Sequence, residues 1–171
     1  MTAPTLTTPR LTLRPPRAAD LDASLVFWAS DRTRFMGGPL DAAAARSEWD
    51  EVSLQWARHG FGMFVLTRHG DDAPIGLAGP YYPETHPEPE LGWNLWNAAD
   101  EGLGLAGEAV VAARDWFFAA TPHRTAVSYT HPDNTRSHRL AEAAGAVRDP
   151  DAPCPYPPPV VIWRHRAGGS A

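Results

Sequence analysis

E-G-L-G-L-A-G-E-A, the stretch from Glu101 to Ala109, decides the reading of this chain. It opens directly into an amphipathic segment, Ala106 to Phe118, whose apolar spacing predicts a helix. Glycines just before a helix leave several backbone N–H groups free and pointing one way, and the aligned peptide dipoles add about half a positive charge at that end. Such a place binds phosphate. Gly102, Gly104 and Gly107 satisfy the G-x-G-x-x-G spacing of dinucleotide-binding proteins. That fingerprint needs a strand running almost straight into its first glycine, and an acid ending the next strand to hold the ribose hydroxyls. Here the polar segment Asn97 to Glu101 intervenes, and the next strand ends Val127-Ser128-Tyr129 with no acid. No G-K-[ST] follows either, so a Walker A loop fails. An NAD(P)-binding oxidoreductase remains the least favoured alternative.

Upstream, Thr8 to Pro15 alternates apolar and polar residues and predicts a strand. Ala18 to Ser30 predicts a helix with Leu21, Leu25, Trp28 and Ala29 on one face. Asp41 is a fitting N-cap for a second helix reaching about Arg58, with Ala45, Trp49, Val52 and Trp56 as its apolar stripe. Phe61–Thr67 and Ile75–Tyr81 predict two strands joined by the turn signal H-G-D-D-A-P. A loop rich in Pro and Glu leads to a strand, Glu90 to Trp96. Downstream of the glycine helix, Arg124–Tyr129 predicts a strand. Pro132-Asp133-Asn134 predicts a turn into a short helix ending at Gly145. Ala146–Arg148 and Val160–Arg164 are extended, with a Pro-rich loop at Asp149–Pro159 between them. No repeat or linker divides the chain, so it reads as one α/β (α+β) domain over 8–166, with flexible termini at 1–7 and 167–171.

Composition narrows the function. The chain has 171 residues, is 43% hydrophobic and carries a net charge of −5, which argues against a general nucleic-acid surface. No apolar run approaches a membrane span and Met1–Arg10 is polar, so a cytoplasmic protein is expected. Cys154 is the only cysteine, and the histidines lack metal-ligand spacing, so no disulfide and no metal are expected. All 15 basic residues are Arg, which carries no functional information.

Four motifs in order carry a resemblance. They are T-P-R-L-T-L-R-P (Thr8–Pro15), E-L-G-W-N-L (Glu90–Leu95), G-L-G-L-A-G-E-A (Gly102–Ala109), and N-T-R-S (Asn134–Ser137) followed by Gly145. Together they resemble the GNAT N-acetyltransferase superfamily, and within it the RimJ/RimL branch of ribosomal-protein N-terminal acetyltransferases, whose corresponding segments read E-L-G-Y-W-L and G-K-G-Y-A-T-E-A. The resemblance implies a mixed, mostly antiparallel twisted sheet of about seven strands with about four helices on both faces. Departures from the pattern are specific. Glu101 takes the first position of [QR]-x-x-G-x-[GA], Leu103 replaces a usual Lys or Arg, and Ala146 replaces a usual Phe. Ala141 stands where many members carry a Tyr general acid.

The implied function is acetyl transfer from acetyl-CoA to a primary amine by direct attack, with a CoA-binding module without catalysis as the alternative. An alkyl ammonium with a pKa near 10 is only about a thousandth deprotonated at neutral pH, so a base is useful. Glu90 is the expected base, with Glu84, His86 and Glu88 in the preceding loop as further candidates. Backbone N–H groups around Leu95 and Trp96 are expected to serve the oxyanion and pantetheine, where this family's strand splays from its neighbour. The backbone from Leu103 through Gly104, Leu105, Ala106 and Gly107 is expected to hold the pyrophosphate, in the absence of the usual cation. Asn134 is expected on the pantetheine or adenine side while capping its own helix. Ser137 is the expected proton donor to the leaving thiolate. Trp28, Trp93, Glu84 and His86 are candidates for the acceptor pocket, and Trp96 is expected to touch ligand. The acceptor would be a protein N-terminus or a small amine, and the protein a monomer or homodimer.

Overall fold

The computed structural model describes residues 3–168. Eight strands form one sheet: β1 (Leu6–Thr7), β2 (Leu11–Arg14), β3 (Phe64–Arg68), β4 (Pro74–Tyr81), β5 (Glu90–Leu95), β6 (Thr125–Thr130), β7 (Val147–Arg148) and β8 (Val161–Arg166). Their order is β1-β2-β3-β4-β5-β6-β8-β7, and every neighbouring pair is antiparallel except β5 and β6. Four helices complete the fold: α1 (Leu21–Trp28), α2 (Ala42–His59), α3 (Leu105–Ala120) and α4 (Thr135–Ala143).

The strands β2, β3 and β4 are buried on both faces, which sets three layers. From β3, Phe64 and Leu66 join Leu11, Leu13 and Ala78 against Leu105, Ala109, Val110 and Ala113 of α3. Val65 points the opposite way, joining Leu77 and Met63 against Phe27 and Trp28 of α1 and Ala45, Trp49 and Val52 of α2. Each large side chain buried in these layers contributes about 1.5–3 kcal/mol. The Asp41 carboxylate caps α2 by accepting the Ala44 N–H at 2.8 Å, and Gly60 ends it in the left-handed region at φ 73°. Beneath β2 the Arg14 guanidinium forks onto both oxygens of Asp20 at 2.8 Å, a pair buried on both sides.

The feature that positions the site is an unequal pairing around β5. On one side β5 pairs with β4 along its whole length, from Glu90 opposite Tyr81 to Leu95 opposite Gly76. On the other it meets β6 only where Glu90 lies opposite Val127, and the strands then diverge. Close approach on the paired side depends on Gly76, where a Cβ would sit 2.2 Å from the Asn94 carbonyl oxygen.

Several boundaries differ from the sequence expectations for local reasons. The predicted strand Thr8–Pro15 begins at Leu11, because Thr8, Pro9 and Arg10 form a turn in which the Thr8 N–H donates to the Leu11 carbonyl at 2.9 Å. Leu6–Thr7 then forms an eighth strand, upstream of the expected domain start. The inner face of α1 is Ser24, Phe27 and Trp28, whereas Leu25 is half-buried and Ala29 exposed. At the other end the Ala167 N–H donates to the Arg124 carbonyl at 2.9 Å. Of the expected flexible termini, 1–2 and 169–171 lie outside the described residues. No helix among the described residues is long and apolar enough to cross a membrane.

Candidate active site

The first part of the site is the N-terminus of α3. Gly102 and Gly104 both adopt left-handed backbone, at φ 74° and 76°, which turns the chain into the helix without side chains in the way. Gly104 is the N-cap, and no side chain caps the helix. The first internal bond runs from the Glu108 N–H to the Gly104 carbonyl at 3.1 Å, so the N–H groups of Leu105, Ala106 and Gly107 have no acceptor within the helix. Glu108 ties this turn to the β1–β2 corner. It accepts from Thr8 Oγ1 at 2.6 Å, the Arg10 N–H at 2.9 Å and Arg10 Nε at 2.7 Å. Burial would raise the Glu108 pKa, but these bonds from Thr8 and Arg10 outweigh it and hold the carboxyl below its ordinary value. The other arm of Arg10 donates to the Leu103 carbonyl at 2.7 Å.

Three arginines therefore surround a loop that lacks its usual cation at Leu103. Arg10 lies beside Gly104. Arg32, in the turn after α1, donates to Glu101 Oε1 at 2.5 Å, and Arg136 of α4 pairs with Glu101 Oε2. Glu101 is thus clamped between two guanidinium groups rather than left as a bare carboxylate at the mouth.

The second part is the open edge of β5. Backbone groups alternate sides along an antiparallel pair. The Trp96 N–H donates across to the Ile75 carbonyl at 2.8 Å, which turns the N–H groups of Trp93 and Leu95 toward the gap. Two carbonyls on that side confirm the alternation: Leu91 accepts from Ser128 Oγ at 2.6 Å and Leu95 from Arg32 Nη2 at 2.9 Å. The Trp96 N–H, expected to face a ligand, is therefore spent on β4. Its side chain departs from expectation as well: the indole is buried against Phe27 and Trp49, because residue 96 projects to the α1–α2 face. Across the gap stands α4. Asn134 caps it, Oδ1 accepting the Ser137 N–H at 3.3 Å, and Ser137 Oγ accepts the Trp93 indole N–H at 3.2 Å. With that lone pair engaged, the Ser137 hydroxyl proton is directed elsewhere. Ala141 is fully buried with Ala146 and Trp163, so the place of the usual Tyr is core here.

The third part lies where β5 and β6 part. His86 Nε2 lies 3.0 Å from Glu90 Oε2 and 3.1 Å from the Tyr156 hydroxyl, while Nδ1 lies 3.3 Å from Thr85 Oγ1. Tyr81, Tyr129 and Tyr156 pack edge-on around the His86 ring, with centroids 5.4–5.9 Å away. Burial raises the pKa of all three phenols, followed by the Glu90 carboxylate for Tyr129 and Tyr156 and by Glu48, Glu51 and Glu90 for Tyr81, so they stay neutral donors. Glu88, a candidate for the same pocket, instead pairs with Arg164 at 2.9 Å, on the β8 side of the sheet.

One cavity of about 980 Å³ joins the second and third parts; the N-terminus of α3 is not part of its wall. Asn134, Ser137, Trp93, Glu90, His86, Trp28, Glu84 and Tyr156 all line it. Several of its residues escaped the sequence reading. Tyr156 sits in a Pro-rich loop, Glu48 on the polar side of a helical pattern, and Tyr81 and Tyr129 in strands that read as core. No sequence signal marks them. Among the described residues no cluster of His, Cys, Asp or Glu is arranged for a metal ion.

A splayed parallel pair in an otherwise antiparallel sheet, with a bare helix N-terminus at its open edge, defines an acyltransferase fold. The family model described as an acetyltransferase (GNAT) domain matches residues 10–147, and the chain belongs to that family. Among solved structures, an acetyltransferase from Agrobacterium tumefaciens is 37% identical with a TM-score of 0.92, covering 97% of this chain and 96% of its own. The ribosomal-protein-S5-alanine acetyltransferase of Vibrio fischeri shares the fold at 18% identity and a TM-score of 0.75, over 96% and 97% of the two chains. RimL, a ribosomal L7/L12 α-N-protein acetyltransferase solved in complex with coenzyme A, does so at 15% identity and a TM-score of 0.74, over 99% and 100%.

Proposed function

We propose that the protein transfers the acetyl group of acetyl-CoA to a primary amine, the two substrates meeting in the gap beside β5. The observation that carries this reading is the arrangement along the gap. Free N–H groups at the α3 N-terminus lie at one end, unpaired β5 backbone in the middle, and a hydrogen-bonded carboxylate where the strands part. The pyrophosphate fits the cradle of Leu105, Ala106 and Gly107, with Arg10, Arg32 and Arg136 as the nearby cations. The pantetheine amides pair with the Trp93 and Leu95 backbone, beside Asn134, as an added strand would.

Chemistry follows from what faces what. The acceptor arrives as an ammonium, and Glu90, oriented by His86, takes its proton directly or through water. The freed amine forms a bond to the thioester carbonyl carbon, and the oxygen that becomes negative faces the N–H groups of β5. The nitrogen then gives up its second proton to water as the C–S bond breaks, and the thiolate takes a proton from water, directly or relayed through the Ser137 hydroxyl, which regains its own, so that the amide and the CoA thiol leave. A thiol pKa near 8.5 makes that departure tolerable without a stronger acid, which is how the Tyr replaced by Ala141 is dispensable. Acetyl-CoA turnover against a panel of peptide N-termini and small amines tests the reading. CoA release that depends on an amine, with one acetylated product per CoA, supports it. CoA binding with no amine acetylated, and no effect of Glu90→Gln, would favour a binding module without turnover.

A further inference from the structure

The cavity contains more carboxylate than a single proton transfer requires: Glu48, Glu51, Glu84 and Glu90 all line it. Glu51 is matched by Arg58, whose Nη1 lies 2.8 Å and 3.0 Å from its two oxygens. Glu90 is held by His86. Glu48 lies one turn before Glu51 on α2 and faces the same cavity, half-buried, yet only burial and Glu51 act on it, and both raise its pKa. A desolvated carboxylate without a counter-ion is a cost to the folded chain that a bound cation relieves.

A second, independent group points the same way. Ser24, on α1, is fully buried and lines this cavity, and its hydroxyl oxygen has no partner among the described residues. A helical Ser ordinarily bonds back to the preceding turn; this one makes no such bond. Trp28, Trp49 and Tyr81 line the same cavity, and aromatic rings attract cations. Glu48, Glu51 and Glu90 all raise the pKa of the Tyr81 phenol, which burial raises first.

We propose that Glu48 and Ser24 form a subsite for a second cationic nitrogen of the acceptor, making the substrate a small molecule of the diamine class. The ammonium or guanidinium rests on the Glu48 carboxylate and donates one N–H to Ser24, while the reacting amine lies at Glu90. A peptide N-terminus supplies only the second of these cations. The inference rests on the acyl-transfer reading above.

The test compares α,ω-diaminoalkanes with 1-aminoalkanes of equal length, using acetyl-CoA and the full chain. The expected preference for the diamine in kcat/KM is about tenfold or more, falling to near unity in Glu48→Gln and by a few-fold in Ser24→Ala. A preference near unity in the wild type, or one that survives Glu48→Gln, overturns the subsite. Thermal unfolding adds a readout independent of turnover. Glu48→Gln should melt at a higher temperature, whereas a lower one would make Glu48 a structural group and overturn the inference. If no amine is acetylated, the acyl-transfer reading itself fails. Calorimetric titration of the diamine still decides the subsite: binding lost in Glu48→Gln supports it, and binding that is absent or unchanged refutes it.

Discussion

Replacing Glu101 by Gln should make the protein less stable and its CoA complex tighter. The carboxylate holds Arg32 at 2.5 Å and also holds Arg136, and its side chain is 30% exposed. Arg136 is 77% exposed, so that pair contributes at most about 1 kcal/mol. Arg32 is 25% exposed and also bonds the Leu95 carbonyl, so its charge-assisted bond is worth about 1.5–3 kcal/mol. Glutamine keeps an acceptor oxygen for Arg32, which leaves a net loss of about 1–2 kcal/mol and a melting point lower by roughly 2–8 °C. In the complex the balance reverses. Two guanidinium groups no longer shared with a carboxylate attract the pyrophosphate, and one negative charge beside it is gone. A gain of about 1 kcal/mol tightens CoA binding about fivefold, most clearly at low salt. Thermal unfolding and calorimetric titration of CoA, at two ionic strengths, measure both. Weaker CoA binding in Glu101→Gln would refute the reasoning, since Glu101 would then be placing the arginines rather than competing for them.

Three further predictions concern stability and chemistry. His165 is buried with Nδ1 unpartnered, and burial, then Arg114 and Arg164, push its pKa down to about 4. Because the unfolded chain binds that proton at about pH 6.5, stability is full above this value and falls toward pH 4, by up to about 3 kcal/mol. Denaturant midpoints should fall less steeply over this range in His165→Gln, and equal slopes would contradict the assignment. Asp20→Asn leaves the buried Arg14 guanidinium with only the exposed Asp72 carboxylate, at a cost of about 3–5 kcal/mol and a melting point lower by roughly ten degrees or more. A change of a degree or two would show that Asp72 suffices. Ser137→Ala should lower kcat about tenfold with little change in KM for acetyl-CoA, and an unchanged kcat would assign thiolate protonation to water.

The fold was largely legible because its signals are local. Asp41, the glycines before α3 and Asn134 mark helix starts by their own backbone chemistry, and the apolar spacing of α2 and α3 survives in the cores they form. The two-residue strand β1 was not legible, since Leu6–Thr7 is too short to show a period and depends on the turn that follows. The glycine cradle stands out for the same local reason, and Glu90 through the resemblance of Glu90–Leu95 to the family's strand. The groups that complete the site do not, because each is brought there by the sheet order. Arg32 and Arg136 meet Glu101 from the turn after α1 and from α4, and Tyr156 reaches His86 from the loop before β8. Trp96 shows the converse error: an aromatic beside a catalytic strand invites a ligand role, but side-chain alternation turns it into the α1–α2 core.

The central claim is that Glu90 removes a proton from the acceptor amine during acetyl transfer. It is tested most directly by the pH dependence of kcat/KM for wild type and Glu90→Gln, with acetyl-CoA and the best acceptor. The wild type should exceed the variant by about 10²–10⁴-fold near neutral pH, and the gap should narrow as rising pH deprotonates the free amine. Rates within twofold of each other across the whole range would contradict the claim.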